Sequence, residues 1–247
     1  DYTDRLAEFL DWVDRVAGDT TLINAAPVVR WNADKRYLRD LAADGIPITP
    51  TTFVEPGEEP PSVEGVHVVK PSVGAGSAGA RRCEPDEVAD HVAALHADGR
   101  TAMVQPYLDR LDELGETAHC FVPGPAGSPP VFSHAFGKAA ILTSTDVEQV
   151  GGLFAKEEIS ARTPSRSELE LASAVLASPT LAGRGDIGFA RIDIAPMRGG
   201  DGVDRFVVME VELIEPSFYF SVIPGSVDVF ADALVARLPN PVTGGPA

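Results

Sequence analysis

The alternation of apolar and polar positions divides this chain into interleaved helices and strands. Residues 3–17, "TDRLAEFLDWVDRVA", put Leu6, Phe9, Leu10, Val13 and Val16 on one helical face. "TTLINAAPVVRW" reads as extended, and "NADKRYLRDLAADG" as a short helix with Asn32 as N-cap and Gly45 at its end. A short strand, "IPITPTTFV", precedes an acidic, proline-rich loop, and "VHVVKP" is the next strand. It feeds a loop of small residues, "SVGAGSAGA", and an amphipathic helix in "EPDEVADHVAALHADG". "TAMVQPYL" is another strand, and "GETAHCFVPG" and "PPVFSHAFGKAAIL" form a pair joined by a Pro/Gly turn. Residues 143–163 are polar with little periodicity, and "PSRSELELASAVLAS" returns to helix. "IGFARIDIAP" and "FVVMEVELIEPSFYF" are strands on either side of a turn in "MRGGDGVD". Helices interleave with antiparallel hairpins, so the class is mixed α and β, without internal repeats.

Of the 247 residues 44% are hydrophobic, enough for one large domain or two closely packed subdomains. No apolar stretch approaches the roughly 20 residues of a membrane span, and no signal peptide opens the sequence, so a cytoplasmic protein is expected. A formal net charge of −17 argues against nucleic acid and anionic membrane as partners. It also requires any site for an anion to build its own positive field. Cys83 and Cys120 form no metal or redox motif. The sequence starts at Asp1 rather than methionine. The apolar stripe of its first helix needs a cover, either the body of this chain or an upstream segment.

Three glutamates, Glu210, Glu212 and Glu215, lie within the apolar run 206–220, and a buried carboxylate is costly without a cation or donor. Side chains alternate along a strand, so Glu210 and Glu212 share a face. A hairpin between 194 and 206 would bring Asp193 beside them. Three carboxylates on one face suit a hard divalent cation such as Mg²⁺. The competing reading is a solvated sheet face, or a pair bridged by Arg191. In "VVKPSVGAGSAG", Lys70 closes a strand and Gly74, Gly76 and Gly79 would let backbone N–H groups approach phosphates. The pattern is neither the GxxxxGK[ST] loop nor a dinucleotide fingerprint, and a plain flexible turn is the alternative. Together with a carboxylate metal site, the loop reads as a place for a nucleoside triphosphate with Mg²⁺.

The order of these features resembles the ATP-grasp enzymes: a lysine in a helix, a lysine before a glycine-rich loop, "VQPYL", "GE", "RID" and "MEVE". D-alanine–D-alanine ligase, glutathione synthetase and the ribosomal-protein glutamate ligases belong to that family. "WNADKRYL", "FSHAFGK" and "ELIEPS" are most similar to the branch that includes cycloserine synthetase, and the likeness runs from Trp31 to Phe220. It implies an α+β fold in which two subdomains grip ATP. Residues 1–30 would be an N-terminal helix and linker, 31–104 the small subdomain and 105–240 the large one. The N-terminal domain that normally precedes the grasp would be largely absent.

The resemblance also implies roles. Lys35 and Lys70 would contact ATP phosphates, under a lid running from Ser72 to Gly79 with Gly76 at its centre and Ser77 as a hydroxyl donor. Gln105 would meet the adenine amino group, and Tyr107 and Leu108 would offer backbone groups to the ring edge. Glu116 would accept from the ribose, Lys138 would be a further phosphate contact, and Asp193, Glu210 and Glu212 would hold Mg²⁺, with Mn²⁺ as an alternative. Arg191 would face the charge that develops at the transferred phosphoryl group and tetrahedral carbon, unless it is a salt-bridge partner of Glu210. His134 either faces substrate or is structural. Relatives often carry Asn where this chain has Glu212, and "SSPG" where it has "LIEPS", so the loop with Glu215 and Ser217 is its own.

The implied reaction is an ATP- and Mg²⁺-dependent ligation of a small carboxylate, an amino acid or peptide-like acid, through an acylphosphate. An amine or similar nucleophile would attack it, on another molecule or the same one. Residues 143–162 would order over that intermediate, and a homodimer is left open. Two other readings stand beside this one: a non-catalytic ATP-binding module, and a small-molecule kinase of the same fold.

Overall fold

The computed structural model describes residues 2–125, 127–140, 149–150, 154–155 and 158–238. The chain opens with α1 (Leu6–Asp19), α2 (Ala26–Asn32) and α3 (Tyr37–Ala43). A four-stranded antiparallel sheet follows, built from β1 (Thr52–Val54), β2 (His67–Pro71), β3 (Arg81–Cys83) and β4 (Ala102–Pro106) in the order β1-β4-β2-β3. Helix α4 (Val88–Ala97) packs on it, and Val88, Val92 and Leu95 close a small core with Val54, Val69, Cys83, Ala102 and Val104.

The second sheet follows α5 (Arg110–Leu114) with β5 (Glu116–Val122), β6 (Val131–Lys138) and β9 (Ile159–Ala161), while β7 (Gln149–Val150) and β8 (Phe154–Ala155) form a two-stranded ribbon of their own. It continues through α6 (Arg166–Leu176), α7 (Pro179–Ala182), β10 (Ala190–Arg198), β11 (Asp204–Glu212) and α8 (Ser226–Arg237). Its order is β11-β10-β5-β6-β9, antiparallel throughout. One face is apolar: Ile192, Ile194, Val208 and Val211 bury against Leu38, Leu41, Ala172 and Val175 from α3 and α6. The core extends to Phe53 and Met103 of the small sheet, so the two sheets share one apolar seam. Helix α6 starts on a capping box, Ser165 accepting from the Glu168 N–H while Glu168 accepts from the Ser165 N–H.

The structure corrects several sequence expectations. The segment expected to be extended, "TTLINAAPVVRW", contains α2. Pro27 sits in the first helical turn, where its missing N–H costs nothing, and tertiary burial of Val28 and Trp31 overrides the β-branched pattern. Asn32 is therefore the last residue of α2 rather than the N-cap of α3, although Gly45, at φ +84°, does follow α3. The run from Phe206 stops being a strand at Glu212, so Glu215 lies in a loop. The strand β3 and the helices α5, α7 and α8 were not foreseen. The expected lid at 143–162 lies largely outside the described residues, and its end, Ile159–Ala161, is the edge strand β9. The apolar stripe of α1 is covered in part by this chain: Val13 is buried, while Trp12 on the same helix is 49% exposed.

Candidate active site

Strand alternation and one bulge build the polar face of the large sheet. Asp193 lies opposite Glu210, and Arg191 opposite Glu212, in the β10–β11 ladder. Beyond Asp193 the register shifts, Ile194 pairing with Val208, so Met209 is the extra residue. On the next strands Glu116 stands opposite Lys138. All six side chains share the face turned away from α6.

That face is a lattice of ion pairs. Arg191 grips Asp193 with a fork, Nε to Oδ1 at 2.9 Å and Nη2 to Oδ2 at 2.8 Å. The same Nη2 reaches Glu212 Oε1 at 2.6 Å, and Nη1 donates to the Ser217 carbonyl at 3.2 Å. Lys138 Nζ bonds Asp193 Oδ2 at 2.8 Å and also pairs with Glu116. Lys35 lies 3.1 Å from Glu210 and donates to the carbonyl of Gly74, tying α2–α3 to the glycine loop. So Arg191 bridges Asp193 and Glu212, and the expected alternative partner, Glu210, belongs to Lys35.

Burial and charge set the ionisation of these groups. Burial opposes the Asp193 carboxylate, but Arg191 and Lys138 outweigh it and hold the group well below its ordinary value. Glu210 is lowered against the same burial by Lys35 and Lys70. Glu212 goes the other way: burial, reinforced by Glu210 and Asp193, pushes it up to about 8 despite Arg191. Burial also raises Glu116, with Lys138 opposing. Lys138 is raised because Asp193 and Glu116 overcome its burial, and Lys70 is lowered by burial with Glu210 opposing.

Ligand oxygens of Asp193, Glu210 and Glu212 all lie within 4.8 Å of one another. An ionised carboxylate offers about four lone-pair sites. The hydrogen bonds from Arg191 and Lys138 leave Asp193 room for one more contact, on Oδ1. Glu210 and Glu212 each meet one cation through Oε1, which leaves their second oxygens for a metal. An all-oxygen, anionic donor set fits a hard divalent cation.

The backbone of β11 is held in place by side chains that sequence reasoning did not assign. β11 is an edge strand, and its outward groups need partners. Tyr37 Oη accepts from the Val211 N–H at 2.9 Å and donates to the Val211 carbonyl at 3.1 Å. Asn32 donates to that carbonyl at 2.7 Å and accepts from the Leu213 N–H at 2.8 Å. Asn24 donates to the Leu213 carbonyl at 2.6 Å, and the Thr49 N–H donates to Val208. Glu210 and Glu212 thus project from a strand clamped along its free edge. The sequence signal was three buried amides and phenols inside apolar surroundings, which need partners wherever they fall.

The other expected residues are spread around this face. Ser72 is buried, and its carbonyl accepts from the Lys35 N–H. Gly76, at φ +58°, and Ser77, at φ +60°, put two successive residues in the left-handed region, where Ser is strained. Gln105 is buried with its amide donating to Thr51 Oγ1 at 2.8 Å. The Tyr107 N–H donates to the Val66 carbonyl at 2.9 Å, which leaves its carbonyl as the backbone group to offer a base, and its ring lies under Arg82. Leu108 is buried against Ala195 and Val207, and its carbonyl accepts from Leu111. Of the two readings for His134, the structure supports the structural one: the ring bonds the Phe218 carbonyl at 2.9 Å and Ser133 at 3.0 Å. Tyr2 was not anticipated; it lines the cleft with Lys35, Glu210, Glu212 and Glu215, and its phenol is a hydrogen-bonding neighbour of Glu215.

No family model matches the chain. The cycloserine biosynthesis protein DcsG of Streptomyces lavendulae is 35% identical over 261 aligned positions, covering 96% of this chain and 80% of that protein. The chain belongs to the ATP-grasp ligases. Within that family it falls in the cycloserine synthetase branch and is an ATP-dependent ligase that forms carbon–nitrogen bonds. The crystal structure of D-cycloserine synthetase DcsG superposes with a TM-score of 0.78 at 34% identity, over 96% of this chain and 81% of that one. D-alanine–D-alanine ligase from Bacillus anthracis, crystallised with ATP, shares the fold with a TM-score of 0.57 at 16% identity, over 87% of this chain and 67% of that one. No helix among the described residues is long and apolar enough to cross a membrane.

Proposed function

We propose that this ligase uses ATP and Mg²⁺ to activate a small carboxylate, of amino-acid or peptide kind, as an acylphosphate that an amine then attacks. The amine belongs to a second molecule or to the same one. The observation that supports this most is the single sheet face on which Lys138 and Arg191 alternate with Glu116, Asp193, Glu210 and Glu212, met from the α2–α3 turn by Lys35.

A carboxylate resists attack by an amine because oxide would have to leave. Phosphorylation removes that obstacle. A carboxylate oxygen attacks the γ-phosphorus and the bond to the bridging oxygen of ADP breaks. The amine then attacks the acyl carbon, and the acyl carbon–oxygen bond breaks to release phosphate. The protein supplies alignment and charge neutralisation rather than covalent chemistry. Lys35 and Lys70 stand at the mouth of the glycine loop, where phosphates would displace Glu210 and the Gly74 carbonyl from Lys35. Lys138 would add a buried positive charge for the phosphates, and Glu116, its ion-pair partner, would accept from the ribose. Arg191 carries five N–H donors in one plane; those that meet Ser217 and Glu212 would serve an oxyanion on the acyl carbon that took the place of those acceptors, while the Asp193 fork holds the guanidinium. Asp193, Glu210 and Glu212 would hold Mg²⁺, which screens the phosphate charge when bound.

Trapping tests the reaction. With ATP, Mg²⁺, hydroxylamine and a panel of amino acids, at least one acid should yield a hydroxamate with matching ADP. A stable phosphate ester with no hydroxamate would make the protein a kinase of this fold.

A further inference from the structure

The strand that carries the glutamates ends at Glu212, and the chain then runs through "LIEPS" across the mouth of the cleft. This loop is pinned at both ends. Leu213 is buried and held by Asn32 and Asn24, and the Ser217 carbonyl is held by Arg191. Between those anchors Pro216 stiffens the backbone, and Glu215 faces the cleft beside Glu210, Glu212, Lys35 and Gly74. The other four carboxylates each have a cationic partner: Lys138 for Glu116, Lys138 and Arg191 for Asp193, Lys35 for Glu210, Arg191 for Glu212. Among the described residues Glu215 forms no such ion pair, and its hydrogen-bonding neighbour is the phenol of Tyr2.

We infer that Glu215, positioned by Tyr2, is the recognition group for the ammonium of an amino-acid substrate, and so sets the preference of this ligase for amino acids over plain carboxylic acids. The inference rests on the ligase reading above. In an amino acid the ammonium and the carboxylate are one carbon apart, so a cation subsite must adjoin the group that handles the carboxylate. Glu215 meets that requirement, because Arg191 contacts the backbone of its loop two residues further on. A phenol suits the positioning role: it donates to the carboxylate without neutralising it, leaving the negative charge to a ligand.

The test measures binding without turnover. The full chain, loaded with a non-hydrolysable ATP analogue and Mg²⁺, is titrated by calorimetry with D- and L-alanine and D- and L-serine. Propionate and 3-hydroxypropionate serve as the matching acids without the amine. At least one amino acid should bind about 10- to 100-fold more tightly than its partner acid, the range of a charge-assisted contact. Glu215→Gln should close that gap, and Tyr2→Phe should narrow it. An equal affinity of wild type for both classes, binding of neither class, or a gap that survives in folded Glu215→Gln would each overturn the assignment. Hydroxamate formation separates the two readings. If no acid yields a hydroxamate while the gap is present and Glu215-dependent, the acylphosphate reaction fails and the ammonium subsite stands. If hydroxamates form from both classes with no preference, the subsite fails and the reaction stands.

Discussion

Glu212→Gln discriminates a metal ligand from a structural ion pair. The ligand oxygens of Asp193, Glu210 and Glu212 lie within 4.8 Å of one another. At that spacing and an effective dielectric of about 20, each like-charge pair costs roughly 3–4 kcal/mol. Glu212 therefore meets two repulsions, together about 7 kcal/mol, against one attraction of about 6 kcal/mol to Arg191 at 2.6 Å on the same scale, plus its burial. The balance disfavours the ionised form, in line with a carboxyl pushed up to about 8. A glutamine keeps an oxygen for Arg191 Nη2 and removes the repulsion. In EDTA the variant should be as stable as wild type, or about 1–3 kcal/mol more stable, by urea denaturation. With Mg²⁺ added, the concentration giving half-maximal ATP turnover should rise about tenfold or more, because a charged oxygen ligand has become neutral. A variant destabilised by more than about 2 kcal/mol, with an unchanged Mg²⁺ requirement, would exclude Glu212 as a metal ligand and make it a partner of Arg191 alone.

Other outcomes follow from the same geometry. Lys70→Ala should weaken ATP binding about 10- to 100-fold in calorimetry while the melting temperature holds. Lys138→Met removes a cation shared by Asp193 and Glu116; it should cost about 3–5 kcal/mol by denaturation, part of which Glu116→Gln in the same chain should restore. His119 is fully buried, contacts the Ile192 carbonyl at 3.1 Å and is lowered from its ordinary value by burial. Below its unfolded pKa of about 6.5 the unfolded chain binds the extra proton, so stability should fall as pH drops from 6.5. His119→Asn should flatten that slope in denaturation curves measured from pH 7 to pH 5.

That Glu210 and Glu212 share a face was legible because strand alternation is a short-range rule. Two glutamates two residues apart must share a face, but the hairpin register alone would set Asp193 opposite Met209; it is the bulge at Met209 that brings Asp193 across from Glu210. The charge partners were less legible. Which of Glu210 and Glu212 meets Arg191 depends on the register and on a lysine that arrives from residue 35. The clamp on the edge of β11 was invisible for the same reason, since Asn24, Asn32 and Tyr37 act across 174 or more residues of chain. Local signals also misled. The segment 20–31 reads as extended, whereas proline is compatible with a first helical turn and Val28 buries in the core shared with the large sheet. Strand β11 ends where Leu213 leaves the ladder for the amides of Asn24 and Asn32, an event decided by distant side chains.

In the proposed reaction a carboxylate oxygen is phosphorylated by ATP before the carbon–nitrogen bond forms. Oxygen transfer measures it most directly. With an amino acid labelled with ¹⁸O in its carboxylate, each inorganic phosphate released should carry one labelled oxygen, with ADP as the other product. Unlabelled phosphate, or AMP and pyrophosphate in place of ADP, would contradict it.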